Sequence, residues 1–156
     1  MENLSERNKK GGIKCRGSFE AFDMDTGKLL FSNHNMFTNG ALERLASLIA
    51  GLQEYPNLDV VKVGTSNAPV AGGQTVLQGS VLGTKQFDSI EAEGASVKFV
   101  ASFLSGEATG VWEEVGVFDT DDLMWSRSLT GTYTKKDLDK IEVHWTYTFS
   151  DNSETE

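Results

Sequence analysis

The last regular segment of the chain, residues 141–149, constrains the fold more than any other feature. Its sequence is IEVHWTYTF, and large apolar side chains occupy every second position of it. Successive side chains of a β-strand point to opposite faces of the sheet, so this alternation predicts a half-buried strand with one apolar face. A strand so late in a chain is usually laid onto a sheet made earlier, which favours one closed β domain.

Most of the remaining chain also has the period of β-strands. The predicted strands lie at residues 13–21, 28–31, 60–63, 82–90, 97–103, 111–118 and 123–129. Asp25-Thr26-Gly27 supplies a hairpin turn between the first two of them. The segment 65–73 is rich in Gly, Ala, Ser and Pro, and we expect it to be a surface loop that lies across a neighbour.

One segment has helical period instead. Apolar residues recur at spacings of three and four within residues 41–49. This pattern predicts a helix at about residues 40–50, with Thr38 or Asn39 as its N-cap and Gly51 as its C-cap. The predicted fold class is therefore mainly β, an antiparallel β-sandwich or partly open barrel with one α-helix.

The chain divides into one domain and two terminal segments. Met1–Gly12 is polar and without period, and it ends in two glycines, so we expect a flexible N-terminal arm. Residues 13–149 are predicted to form a single β-rich domain. We expect residues 150–156 to be a disordered C-terminal tail.

An acidic composition limits the possible partners. The chain has 156 residues, a formal net charge of −9 and a pI of about 4.7. Because nucleic-acid-binding proteins normally present a basic face, we expect no direct contact with DNA or RNA. Residues 1–12 lack the apolar core of a signal peptide or membrane helix, so we expect synthesis in the cytoplasm and no membrane association. The only cysteine, Cys15, is predicted to be a small buried hydrophobe.

The histidines and paired glutamates do not form a recognisable catalytic or metal-binding pattern. His34 and His144 are far apart in the sequence, and metal sites usually need further ligands in a cluster. Glu113 and Glu114 are neighbours on a predicted strand. Their side chains therefore point to opposite faces and cannot work together as an acid–base pair.

Aspartates near two predicted turns resemble fragments of calcium loops. They are Asp23, Asp25, Asp119, Asp121 and Asp122. Neither group is followed at the proper distance by a bidentate glutamate, whereas Asp and Gly are residues that hairpin turns require. No nucleophile elbow or phosphate-binding glycine loop occurs. We therefore predict a non-enzymatic protein without metal or cofactor. The alternative is a small hydrolase whose site is built from distant carboxylates, but the sequence does not indicate which pair would form it.

The tryptophans are candidate anchors, since exposed tryptophan is common at protein- and sugar-binding sites. Trp125 and Trp145 share a parity with predicted core residues, and we expect both to be buried. Trp112 falls on the opposite face of its predicted strand from Val115 and Val117. At least one face of that strand must therefore be covered, by the helix or by another subunit.

Several short motifs, taken in order, resemble a known family. The chain contains NMFTNG leading into ALERLA at 35–46, VKVGTS at 61–66 with TVL at 75–77, and WEEVGVFD at 112–119. In this order they are similar to the attachment domain of phage tail-collar fibre proteins, where a vGxG strand end, a TxL element and an REiGlfD strand recur. The resemblance covers about residues 13–149, which is nearly the whole chain.

The chain departs from the family pattern in two respects. Glu113 stands where the REiG motif has arginine, so a salt bridge from that arginine is not expected here. No fibre shaft follows residue 149, and we expect a free-standing module rather than a whole receptor-binding fibre.

The resemblance implies a structural protein of tailed bacteriophages. We expect a non-enzymatic virion protein, made in the host cytoplasm, that is a multi-copy module of the tail or collar or a capsid decoration protein. Its expected partners are tail, collar or major capsid proteins and further copies of itself. The candidate partner-binding residues are Lys9, Lys10, Pro69, Val70, Trp112 and Tyr133. The alternative is a carbohydrate-binding β-sandwich for host-surface recognition, with Trp112 or Tyr133 as an exposed aromatic contact.

Overall fold

A computed structural model describes residues 13–51 and 57–151 of the chain. The strands are β1 (Ile13–Asp23), β2 (Leu29–Phe37), β3 (Leu58–Gly64), β4 (Val81–Gln86), β5 (Ser89–Glu93), β6 (Ser96–Phe103), β7 (Gly110–Asp119), β8 (Met124–Lys135) and β9 (Ile141–Asp151), and the helix α1 is Asn39–Ala50. Every strand pair in these ranges is antiparallel. The predicted mainly β class with one helix is confirmed. The predicted arm, residues 1–12, lies outside the described residues.

The described strands form one curled sheet, in the order β4-β3-β7-β8-β2-β1-β9-β6-β5. The strands at its two edges, β4 and β5, are separated along the chain only by Phe87 and Asp88. The N–H of Phe87 donates to the carbonyl of Asp59 beside β4, and that of Asp88 donates to the carbonyl of Val100 on β6. Because two residues connect the edges, the sheet has to curl into the partly open barrel that was predicted.

The hydrophobic core fills the inside of this curl. Phe19 of β1 stacks on Trp145 of β9 with ring centroids 5.4 Å apart, and both side chains are fully buried. The alternation that predicted β9 is confirmed, because Ile141, Val143, Trp145 and Tyr147 are buried while the residues between them are partly exposed. The ladder between β1 and β9 extends over the full length of both strands.

The helix begins and ends where its capping residues predict. The Thr38 hydroxyl oxygen accepts a hydrogen bond from the Ala41 N–H at 3.1 Å, and the same hydroxyl donates to the Met124 carbonyl at 2.6 Å. The N–H of Gly51 donates to the carbonyl of Leu48 and closes the last turn. Ala41 is the one fully buried residue of α1, so the helix packs on the sheet mainly through its first turn.

The structure differs from the sequence predictions at several points. The strands β2 and β8 continue to Phe37 and Lys135, beyond the predicted ends at residues 31 and 129. The single strand expected at 82–90 is two strands, β4 and β5, because the chain changes from one edge of the sheet to the other in its middle. Ser150 and Asp151, expected to fray, pair with the start of β1. Cys15 is half-buried against the core rather than fully buried, and this partial burial raises the pKa of its thiol.

An irregularity in the pairing of β7 with β8 overturns the predicted orientation of Trp112. The pairing of β7 with β8 shifts register between Trp112 and Glu114. Trp112 therefore turns toward the same core as Val115 and Val117, instead of lying on the opposite face. Its side chain is fully buried, and its indole N–H donates to the carbonyl of Ala108 at 2.7 Å.

We expect the substitution Phe19→Ala to lower the free energy of unfolding by about 3–5 kcal/mol, because it leaves a cavity beside Trp145. The matched control is Phe22→Ala on the same strand, where the ring is partly exposed and the loss should be about 1 kcal/mol. Urea unfolding of both variants gives the comparison. Equal losses would contradict the placement of Phe19 at the centre of the core.

Candidate functional site

Residues 65–80, which join β3 to β4, form a long loop that folds back over the sheet; we call it the pinned loop. No strand or helix lies within it. Loops of more than about 12–15 residues without secondary structure are uncommon in compact domains and are often functional. The sequence predicts that part of this segment lies across a neighbour, whereas the structure places it on the outer face of β7 and β8 of its own chain.

One buried carboxylate, that of Glu114 on β7, fixes both ends of the pinned loop. Its Oε2 accepts hydrogen bonds from the backbone N–H groups of Ser66 and Gly79, and its Oε1 accepts one from the N–H of Gln78, each at 2.8 Å. Glu114 has no exposed surface. The three amide donors replace the water that the carboxylate loses on burial.

Arg127 of β8 compensates the charge of Glu114 and reaches the first half of the loop. Its Nε donates to Oε1 of Glu114 at 2.9 Å. Its Nη1 donates to the carbonyl of Ala68 at 2.9 Å and to Oε1 of Gln74 at 3.3 Å, and its Nη2 donates to the carbonyl of Ser66 at 3.2 Å. The fixed fork of a guanidinium can satisfy several acceptors at once, as a lysine could not.

Two glycines leave room for this arrangement. A Cβ on Gly64 would lie 2.8 Å from Oε2 of Glu114, and a Cβ on Gly116 would lie 3.0 Å from Cδ2 of Leu77. Leu77 of the pinned loop packs with Phe118 in a small second core on this face of the sheet. The loop is therefore held by a charged anchor and an apolar one.

We expect the ion pair between Glu114 and Arg127 to fix the conformation of the loop more than it adds to the free energy of unfolding. Burying two charges costs several kcal/mol, and an apolar pair of similar size is often as stable. Glu114 accepts hydrogen bonds from three amides and one guanidinium, so it positions the loop. These hydrogen bonds therefore hold the long surface segment in one conformation.

The pinned loop contains two of the predicted partner-binding residues. Pro69 is exposed and Val70 is partly exposed. The carbonyl of Pro69 accepts a hydrogen bond from the side-chain amide of Gln74 at 2.9 Å, which holds the tip of the loop. The two lysines of the predicted set, Lys9 and Lys10, lie outside the described residues.

The predicted aromatic contacts do not form an exposed site. Trp112 is fully buried, and the expectation that it contacts a partner or a sugar is therefore corrected. Tyr133 is partly buried, with its ring 5.1 Å from that of Phe31 and 6.2 Å from that of Trp112. This burial raises the pKa of the Tyr133 phenol.

The aspartates of the two turns organise the turns themselves. Oδ1 of Asp119 accepts from the N–H groups of Asp121 and Leu123, and Oδ2 accepts from the indole of Trp125 at 2.9 Å. Oδ1 of Asp23 has the same role in the first hairpin. Within residues 13–51 and 57–151, no group of three or more His, Cys, Asp or Glu side chains is placed to hold a metal ion.

The sequence alone indicates that Arg127 and Glu114 are unusual, because each is a charged residue at a position in an apolar pattern. Arg127 falls in line with Leu123, Trp125 and Leu129, and Glu114 lies among valines and a tryptophan. Charged residues in apolar patterns are seldom buried without a partner. This rule predicts a partner for Glu114 and a partner for Arg127. The spacing of the two residues in the sequence does not show that they are partners of one another.

Comparison of the chain with protein-family models, with curated proteins and with solved structures finds no match. Among the described residues, no helix is long and apolar enough to cross a membrane.

We expect Glu114→Ala to lower the free energy of unfolding by about 3–5 kcal/mol, because Arg127 is left buried without its partner. The double variant Glu114→Leu, Arg127→Met should lose less than the single one. Amide hydrogen exchange should become faster at Ser66, Gln78 and Gly79 in both variants.

The control is Glu113→Ala, which removes a partly exposed neighbour on the opposite face and should change the free energy of unfolding by no more than about 0.5 kcal/mol. Unchanged exchange at the three amides in the Glu114 variants would contradict the role of the carboxylate in holding the loop.

Proposed function

We propose that this chain is a non-enzymatic structural protein of a bacteriophage virion, a multi-copy module of the tail or collar or a decoration protein of the capsid. The observation that supports the proposal is the convergence of three sequence motifs at the base of the pinned loop. These motifs are separate in the chain and are three of those on which the resemblance to tail-collar attachment domains depends.

The convergence is visible in direct contacts. Gly64, from the strand end similar to vGxG, lies against the carboxylate of Glu114, from the strand similar to REiGlfD. Leu77, from the element similar to TxL, packs on Gly116 and Phe118 of that same strand. Short motifs that occur together by chance have no reason to meet at one place, so the contacts favour a shared architecture.

The shape of the pinned loop suits a docking role. A segment already ordered before binding loses less conformational entropy when a partner covers it. The exposed tip around Pro69 is held by Gln74 and Arg127 on the protein side, which leaves its outer surface for a partner. An assembly protein present in many copies gains from such a contact, because each copy binds in the same geometry.

The test is capture of the purified protein by phage particles that lack it, with the bound amount measured after sedimentation. We expect stoichiometric capture of the natural chain. Pro69→Asp with Val70→Asp should reduce capture at least tenfold without changing thermal unfolding, because it places two charges on a surface that the partner covers.

The control for the loop variant is Leu138→Asp, at a strongly exposed apolar position in the turn before β9. It should be captured like the natural chain. Removal of residues 1–12 tests the arm, and we expect weaker capture with the same unfolding temperature. Failure of the natural chain to bind any such particle, together with a strictly monomeric mass by light scattering, would overturn the proposal.

A further inference from the structure

β5 presents a strand edge with which no described residue pairs. It pairs with β6 on one side and ends the strand order. The other edge strand, β4, packs through one face against the connection between β6 and β7. There Gly83 lies against Ala108, and the Lys85 Nζ is 2.7 Å from the Glu107 carboxylate. Unpaired edges are templates for a further strand and are usually blocked in proteins, so the open edge of β5 is notable.

The pairing of β5 with β6 shows which backbone groups face this edge. The two strands are joined by a two-residue turn, across which Glu93 pairs with Ser96. In such a hairpin the pair beside the turn is hydrogen-bonded, and the bonded pairs then recur at every second residue. Ile90 and Ala92 therefore direct their N–H and C=O groups away from β6, toward the open edge.

An apolar cavity of about 510 Å³ borders the same edge. Its lining includes Ile90 of β5 together with Leu45, Leu58, Phe99, Trp125 and Phe149. None of these side chains is charged, and Ile90 keeps 49% of its surface exposed. A strand added beside β5 would therefore find apolar surface for the side chains on its inner face.

The outer face of β5 carries two glutamates, and Lys98 of β6 lies opposite the first of them. Side chains alternate along a strand, so Glu91 and Glu93 point away from the face on which Ile90 lies, and both are exposed. Like charges on neighbouring strands are destabilising, whereas a basic residue opposite a glutamate is favourable. Pairing of two copies of this chain through β5 would bring these glutamates together, which disfavours a second copy as the occupant.

We propose that the open edge of β5 accepts an extended segment of another protein in which apolar and basic side chains alternate. The backbone of the segment would bond to Ile90 and Ala92, its apolar residues would enter the cavity, and its basic residues would face Glu91 and Glu93. The inference rests on the proposed assembly role in taking another virion protein as the source of this segment.

The test uses the purified full chain and a synthetic peptide in which valine and lysine alternate over seven residues. Binding is followed by calorimetry and by amide hydrogen exchange. We expect exchange at Ile90 and Ala92 to slow at least tenfold on binding. Ala92→Pro removes one outward N–H without removing a bond to β6, and it should weaken binding at least tenfold. Glu91→Lys with Glu93→Lys should do the same.

Two controls separate strand addition from attraction between opposite charges. A peptide of the same composition with its lysines grouped should bind at least tenfold more weakly, and Glu43→Lys on α1 should leave the affinity within twofold. No binding of the alternating peptide, equal binding of both peptides, or unchanged exchange at Ile90 and Ala92 would overturn the proposal. Because phage particles are not used, this result is independent of the capture experiment.

Discussion

The arrangement of the outer face of this domain depends on the buried contact between Glu114 and Arg127. The two residues lie on neighbouring strands, and between them they bond to both ends and the first half of the pinned loop. A charged pair without water needs its remaining donors and acceptors satisfied, and the loop backbone supplies them. The pair and the loop therefore require one another, which explains how a segment without secondary structure has a defined shape.

A second constraint is the two-residue connection from β4 to β5. It takes the chain from one edge of the sheet to the other, and so it imposes the curl that encloses Phe19, Trp145 and the rest of the core. The same change of partner leaves β5 bonded on one side only among the described residues. The curl of the sheet and the position of β5 at its edge are therefore two consequences of this two-residue connection.

The pinned loop and the edge of β5 lie on different parts of the domain and differ in chemistry. The loop contains no charged residue and offers a preformed surface above the buried Glu114 and Arg127, whereas the edge offers backbone hydrogen bonds beside an apolar cavity and two carboxylates. A subunit with two distinct contacts can join different neighbours at the same time. This division suits a protein that works by assembly, as proposed here.

The sequence by itself determined the class of the fold, the position and caps of α1, and the buried face of β9, because each of these depends on residues close together in the chain. Only the tertiary structure decided that Trp112 faces the core, since the shift in register between β7 and β8 beside it leaves no mark in the alternation. It also decided that Glu114 and Arg127 meet beneath residues 65–80, and that among the described residues β5 pairs on one side only. Pairing between distant strands sets these contacts, and spacing along one chain does not encode which strands become neighbours.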